Sequence, residues 1–152
     1  MVQQLLLLNG PNLNMLGKRN EDIYGSFTLQ DVENIVKETA QLYQLAVTCY
    51  QSNHEGNLVE QIQQANKTYH GVIFNPAAYS HTSIAIHDAI ELLKIPIIEV
   101  HISNIYEREQ FRQQSITAKV STGQITGLGL HGYELATHAI ARLIKRKDDS
   151  LE

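Results

Sequence analysis

Glu99 and His101 are two residues apart in the apolar run Ile97-Ile98-Glu99-Val100-His101. Side chains two apart on a strand share a face, so the pair sets a carboxylate beside an imidazole. Such a carboxylate fixes the imidazole tautomer and equips it as a general acid. The competing reading is a surface glutamate and a histidine satisfied by backbone. The pair ends a buried run, where a carboxylate needs a partner, and both readings stay open. Arg19 and Tyr24 are five residues apart in a polar segment. A free phenol titrates near pH ~10 and is a poor base at neutrality; a neighbouring cation favours its phenolate. The alternative is an exposed tyrosine beside an exposed arginine. Arg108 and Arg112, at i and i+4 of an expected short helix, share a face. There they either bind an anion or solvate the face together with Glu107 and Glu109.

Position decides what these groups meet. Apolar runs at Gln4–Leu8, Leu45–Tyr50, Gly71–Phe74 and Ile97–Val100, with a weaker one at Gln124–Leu128, alternate with helical periodicities. The fuller runs read as strands buried on both faces. Val32, Ile35, Val36, Ala40 and Tyr43 mark the first helix, which Thr28 and Asp31 cap at its start. Leu58, Ile62 and Ala65 mark the second, and Ile84 to Leu93 the third, before Pro96. Leu135 to Ile144 mark the last, with Lys145–Lys147 suited to its negative end. Strand–helix alternation predicts an α/β fold: a flavodoxin-like, open five-stranded parallel sheet with helices on both faces, formed by residues 1–152 as a single domain. Ligands of such sheets bind beyond the carboxyl ends of the strands.

Four strand ends carry amides, hydroxyls or imidazoles. They are Asn9 to Asn14, Gln51 to Glu55, Asn75 to His81, and His101 to Asn104. With the arginines, they suit a small substrate bearing several hydroxyls and one anionic group. No glycine-rich phosphate loop follows the first strand, which argues against a dinucleotide or triphosphate. His81, Ser83 and Asp88 do not read as a triad, because Ser83 sits at a helix start, where capping is commoner. The seven histidines show no metal-ligand spacing, and the one cysteine, Cys49, excludes a disulfide framework. A formal charge of −4 gives no footprint for nucleic acid. No apolar run reaches membrane-spanning length, so a cytoplasmic protein is expected.

In order and spacing, the stretches Leu8-Asn9-Gly10-Pro11-Asn12-Leu13-Asn14, Leu16-Gly17-x-Arg19 and Ile23-Tyr24-Gly25 resemble the type II 3-dehydroquinate dehydratases. So do Gln51-Ser52-Asn53-His54-Glu55-Gly56, Asn75-Pro76-x-Ala78-Tyr79-x-His81-Thr82-Ser83 and Glu99-Val100-His101-Ile102-Ser103-Asn104-Ile105. Arg108-Glu109-x-Phe111-Arg112, Gly127-Leu128-Gly129 and Gly132-Tyr133 complete the resemblance, which covers nearly the whole chain. It implies reversible loss of water from 3-dehydroquinate to give 3-dehydroshikimate, by anti elimination through an enolate, without metal or organic cofactor.

By the same resemblance Tyr24 is the base, Arg19 the partner of its phenolate, and Asn12 the residue that positions a water near the enolate oxygen. His101 is the acid and Glu99 its orienting carboxylate. Asn75, His81, the backbone of Ile102 and Ser103, and Arg112 hold substrate; Arg108 is a second arginine near the tyrosine. Asp88 reaches the site from a neighbouring subunit of a trimer, four of which usually form a dodecamer. The segment from Lys18 to Tyr24 reads as a mobile lid. Asn20-Glu21 stands where the family commonly has Glu-Pro, which predicts a less restrained loop. Ala77 stands for a common Gly and is expected to crowd the backbone's approach to substrate; His87 stands for a common Arg and Tyr106 for a common His. The competing class is a non-catalytic flavodoxin-like binding protein, which needs neither the Arg19–Tyr24 nor the Glu99–His101 pair.

Overall fold

Each residue of the run Leu5-Leu6-Leu7-Leu8 is fully buried, as expected of a strand covered on both faces. Alternation divides them: Leu5 and Leu7 join one core, Leu6 and Leu8 the other. The computed structural model describes residues 2–18 and 20–151. Its strands are β1 (Gln3–Asn9), β2 (Leu45–Gln51), β3 (Gly71–Asn75), β4 (Ile97–His101) and β5 (Gly123–Thr126). They form one parallel sheet in the order β2-β1-β3-β4-β5, which is the flavodoxin-like arrangement. The order reverses direction between β1 and β3, so the crevice at their carboxyl ends is the expected ligand position.

Helices α2 (Leu29–Gln41) and α5 (Leu130–Leu151) cover one face through Val32, Val36, Ala40, Tyr133, Ala136 and Ile140. Helices α3 (Glu55–Thr68) and α4 (Ile84–Glu91) cover the other through Leu58, Ile62, Ala65, Ile86, Ala89 and Ile90. Thr28 caps α2 as expected: its side chain accepts from the Asp31 N–H, while the Asp31 carboxylate accepts from the Thr28 N–H. A one-turn helix, α1 (Glu21–Tyr24), precedes it.

Three expectations are corrected. Helix α5 begins at Leu130 rather than near Leu135 and runs to Leu151, so Lys145–Lys147 is not its end. β5 stops at Thr126 rather than Leu128, because Gly127 turns the chain at φ +87°. Arg108 and Arg112 do not share a helix: Ile105–Glu107 and Gln110–Arg112 are separate 3-10 turns, with Arg108 extended between them. Among the described residues no helix is long and apolar enough to cross a membrane.

Tyr133 connects α5 to the sheet at the switch point. Asn9 and Asn75 end β1 and β3 side by side in register. The fully buried Tyr133 hydroxyl donates to Asn9 Oδ1 at 2.8 Å and accepts from Asn75 Nδ2 at 2.8 Å. Burial pushes the phenol's titration up, out of reach of neutral pH, so it serves as a neutral connector. Tyr133→Phe would leave two buried amide atoms short of a partner, and the expected cost is ~1–3 kcal/mol in urea unfolding.

Candidate active site

At the β1 end, the chain turns tightly against β3. The Gly10 N–H donates to the Asn75 carbonyl at 2.8 Å. A Cβ on Gly10 would stand 2.7 Å from the Pro76 oxygen, so only glycine fits. Asn12 then takes a left-handed conformation at φ +69°, which asparagine tolerates better than most residues. Its N–H donates to Asn53 Oδ1 at 2.9 Å. Gln51 Nε2 donates to that same oxygen at 3.1 Å and to the Gly10 carbonyl at 3.1 Å. The polar end of β2 therefore holds the β1 loop in place, and its residues do not line the cavity.

That cavity is lined by Asn12, Tyr24, Asn75, His81, His101 and Arg112. Ile102, Ser103 and Arg108 join them from the expected set, whereas Glu99 and Asp88 do not line it; Pro11, Leu13, Ala77, Ala78 and Ile105 are additional wall. Arg19 lies outside the described residues. Its neighbour Asn20 shows how the segment forms without proline: Asn20 Oδ1 accepts from the Asp22 N–H at 3.1 Å, and its carbonyl accepts from Ile23 and Tyr24 N–H groups. An asparagine cap thus starts α1 and delivers Tyr24 to the cavity.

The Arg108 guanidinium lies over the Tyr24 ring, 5.3 Å from its centroid, within the range of a cation–π contact. Arg108 Nη1 also donates to Ser103 Oγ at 3.1 Å, and its Nε to Glu109 Oε1 at 3.4 Å. Arg112 Nε donates to Glu109 Oε2 at 2.9 Å. One exposed carboxylate therefore braces both arginines at the cavity rim, and the two converge without a common helix.

Glu99 is fully buried and His101 nearly so. His101 Nε2 lies 2.7 Å from Glu99 Oε2, which assigns the Nε2 proton to that bond and leaves Nδ1 for a ligand. The pair is therefore a built dyad, with Glu99 behind the cavity wall and His101 in it. His81 stacks beside His101, ring centroids 6.3 Å apart. Its Nδ1 is 2.7 Å from the Gln114 carbonyl, an acceptor only, so Nδ1 carries the proton. Burial, and to a smaller extent His101 and Arg112, lowers its titration below the ordinary imidazole value. His81 is thus a neutral imidazole with Nε2 available to accept a hydroxyl proton.

Asn75 is also partly committed. Its Nδ2 donates to Tyr133, and its Oδ1 accepts the Ala77 N–H at 2.9 Å. Ala77 itself sits at φ +52°, a conformation that costs a Cβ-bearing residue. The alanine acts mainly through backbone strain at the cavity wall. Ala77→Gly is expected to raise stability by ~1 kcal/mol, read as a higher urea midpoint with unchanged slope.

Asp88 is not brought to this cavity. It lies on α4, 65% exposed and 2.9 Å from His87 Nδ1. Ser83 caps that helix, its Oγ accepting the Ile86 N–H at 2.9 Å, the role expected of it in place of a triad.

The chain matches the family model for class II dehydroquinase over residues 3–141. It belongs to the class II dehydroquinase family. A 3-dehydroquinate dehydratase from Anoxybacillus flavithermus is 52% identical over 144 residues, 95% of this chain and 97% of that one. The crystal structure of type II dehydroquinase from Propionibacterium acnes superposes with a TM-score of 0.89 at 46% identity, covering 93% of this chain and 98% of that one. That from Butyrivibrio crossotus gives 0.88 at 45% identity, over 91% and 97%.

In this dehydroquinase the residues that sequence reasoning missed stand one step behind the cavity. Ser115, Thr117 and Gln124 all reach the Glu99 carboxylate. Gln114 sets His81 through a backbone carbonyl, which no side-chain type reveals. Tyr133 entered only through the resemblance, in Gly132-Tyr133, with no role attached.

Proposed function

We propose that this chain catalyses the reversible dehydration of 3-dehydroquinate to 3-dehydroshikimate, with Tyr24 as base and His101 as acid. The proton next to the ketone is weakly acidic, and hydroxide is a poor leaving group. The reaction therefore needs a base, stabilisation of the enolate, and an acid. Tyr24 as phenolate takes the C2 proton, and the C–H electron pair moves into the enolate. Arg19 is the partner of the phenolate by the family resemblance, Arg108 lies over the ring, and Asn12 positions a water near the enolate oxygen. As the enolate collapses, the C1–C2 double bond forms and the C1–O bond breaks. His101 enters this step as imidazolium, its Nε2–H held by Glu99; the departing hydroxide takes the Nδ1 proton and leaves as water, and His101 remains as the Nε2–H imidazole. Proton transfer from Tyr24 back to His101, directly or through solvent, restores the starting state.

The remaining residues hold the substrate. Arg112 suits its carboxylate, and neutral His81 accepts from a ring hydroxyl. Asn75, Ile102 and Ser103 supply further hydrogen bonds. The single observation that carries this reading is the junction of two environments in one cavity: Tyr24 under the Arg108 cation, and His101 on the buried Glu99 carboxylate. Separate surroundings for base and acid are what such a reaction demands.

Residues 1–152 form one catalytic domain, which acts in the cytoplasm. It assembles as trimers, and these as a dodecamer, in which Asp88 enters a neighbouring subunit's site. The exposure of Asp88 on α4 beside Ile84 and Leu92, 68% and 62% exposed, supports that reading. The decisive experiment mixes chelator-treated protein with 3-dehydroquinate and follows ultraviolet absorbance. A rise from the conjugated product is expected; a flat trace from folded oligomer would refute the assignment.

A further inference from the structure

Glu99 is surrounded on both oxygens. Oε2 accepts from His101 Nε2 at 2.7 Å, from Ser115 Oγ at 2.5 Å and from Gln124 Nε2 at 3.4 Å. Oε1 accepts from Thr117 Oγ1, its one partner among the described residues. Two features of this surround are unusual for loop hydroxyls. Thr117 is fully buried and stands at the start of the 3-10 turn Ala118–Val120, yet its side chain makes no capping bond to that turn. A threonine in that position ordinarily accepts a backbone N–H; this one is turned toward the carboxylate. The turn is served by Ser115, whose Oγ accepts the Ala118 N–H at 3.0 Å. With that lone pair engaged, the Ser115 proton is directed at Glu99.

We propose that Thr117 and Ser115 are positioning residues for the acid step, acting through Glu99 on His101. The carboxylate has two degrees of freedom that matter: rotation of its plane and the side on which it meets the imidazole. Thr117 on Oε1 and Ser115 on Oε2 fix the plane, so Oε2 stays in line with His101 Nε2. The Nε2 proton is then held in the neutral and the charged ring alike, and the second proton of the imidazolium, on Nδ1, faces the substrate as the acid. Without Thr117, Oε1 is a buried acceptor with no partner. The carboxylate then turns to share its bond with His101 differently, and the imidazole is free to place its proton on Nδ1 alone or to rotate out of line.

The segment carrying these hydroxyls also carries the Gln114 carbonyl that sets His81. The Ile116 N–H ties it to the Ser80 carbonyl at 2.8 Å, next to His81. One short stretch, Gln114 to Thr117, thus determines the tautomers of both cavity histidines.

The proposal rests on the dehydratase reading, and two readouts separate the two. Thr117→Val, Thr117→Ser and Ser115→Ala would be compared with wild type for kcat and KM on 3-dehydroquinate. The His101 tautomer would be read from its ring nitrogen shifts by NMR. Thr117→Val is expected to lose roughly tenfold in kcat, part of the ~10²–10⁴-fold that general acid help supplies. KM should stay within about twofold, because Thr117 touches no substrate. Thr117→Ser should recover most of the loss, and the His101 Nε2–H tautomer should be mixed in Thr117→Val alone of that pair. Folded Thr117→Val with wild-type kcat, or Thr117→Ser no better than Thr117→Val, would overturn the proposal. If Thr117→Val does not fold, Ser115→Ala decides: wild-type kcat there overturns it, and a kcat loss at constant KM supports it. Wild-type protein inert toward 3-dehydroquinate would refute the dehydratase reading, while the tautomer comparison would still test the positioning claim.

Discussion

Tyr24→Phe lowers kcat for 3-dehydroquinate by ~10²–10⁴-fold, the range that a positioned general base supplies. Binding should change little, because the aromatic ring that lies under Arg108 is retained and only the hydroxyl is lost. A loss in kcat with KM nearly constant identifies a group used in the transition state rather than in ground-state binding. The same variant should also stop exchange of the C2 proton with deuterated solvent, since no other residue is assigned to remove it. Steady-state kinetics and a proton NMR time course measure the two effects. A Tyr24→Phe enzyme within tenfold of wild type would remove Tyr24 from the chemistry.

His101→Ala should be about as severe for dehydration but different in kind. The acid acts on the leaving hydroxyl, after or as the enolate forms. With Tyr24 intact, exchange of the C2 proton should persist while water loss falls by ~10²–10⁴-fold. The buried carboxylate complicates this variant: Glu99 would lose the imidazole on Oε2 while keeping Ser115, Thr117 and Gln124. Three remaining donors keep the buried carboxylate partnered, so His101→Ala should fold where an unpartnered carboxylate would not be tolerated. Loss of exchange together with dehydration would contradict the division of roles, since it would place His101 in the proton-removal step as well.

These assignments were legible to different depths for physical reasons. The strands showed because burial on both faces leaves little polarity, as in Leu5 to Leu8 and Val72 to Phe74. Alternation with helical periodicity set the sheet type, and the rule for strand carboxyl ends located the cavity. Glu99 and His101 showed because a strand's two-residue period places them on one side, and the structure finds them 2.7 Å apart. What supports them was not legible. Thr117 and Gln124 meet Glu99 from 18 and 25 residues away, and a serine or threonine in a loop looks the same whether it faces solvent or a buried carboxylate. Tyr133 bridges residues 124 and 58 positions away, and a helix entry carries no sign of that.

The arginines illustrate a wrong route to a correct neighbourhood. Spacing of four suggested one helical face, whereas two 3-10 turns separated by extended Arg108 bring both guanidinium groups to the cavity. Asn20-Glu21 stands where the family commonly has Glu-Pro, and there the Asn20 side chain caps α1 through the Asp22 N–H, a local bond that the missing proline does not announce.

The most direct test of base and acid acting from separate elements is stereochemical. 3-Dehydroquinate would be prepared with deuterium at one or the other C2 position, and the 3-dehydroshikimate formed would be examined by NMR. The predicted result is loss to solvent of the deuterium anti to the C1 hydroxyl and full retention of the syn label. Loss of the syn label would contradict a Tyr24 base opposed to a His101 acid.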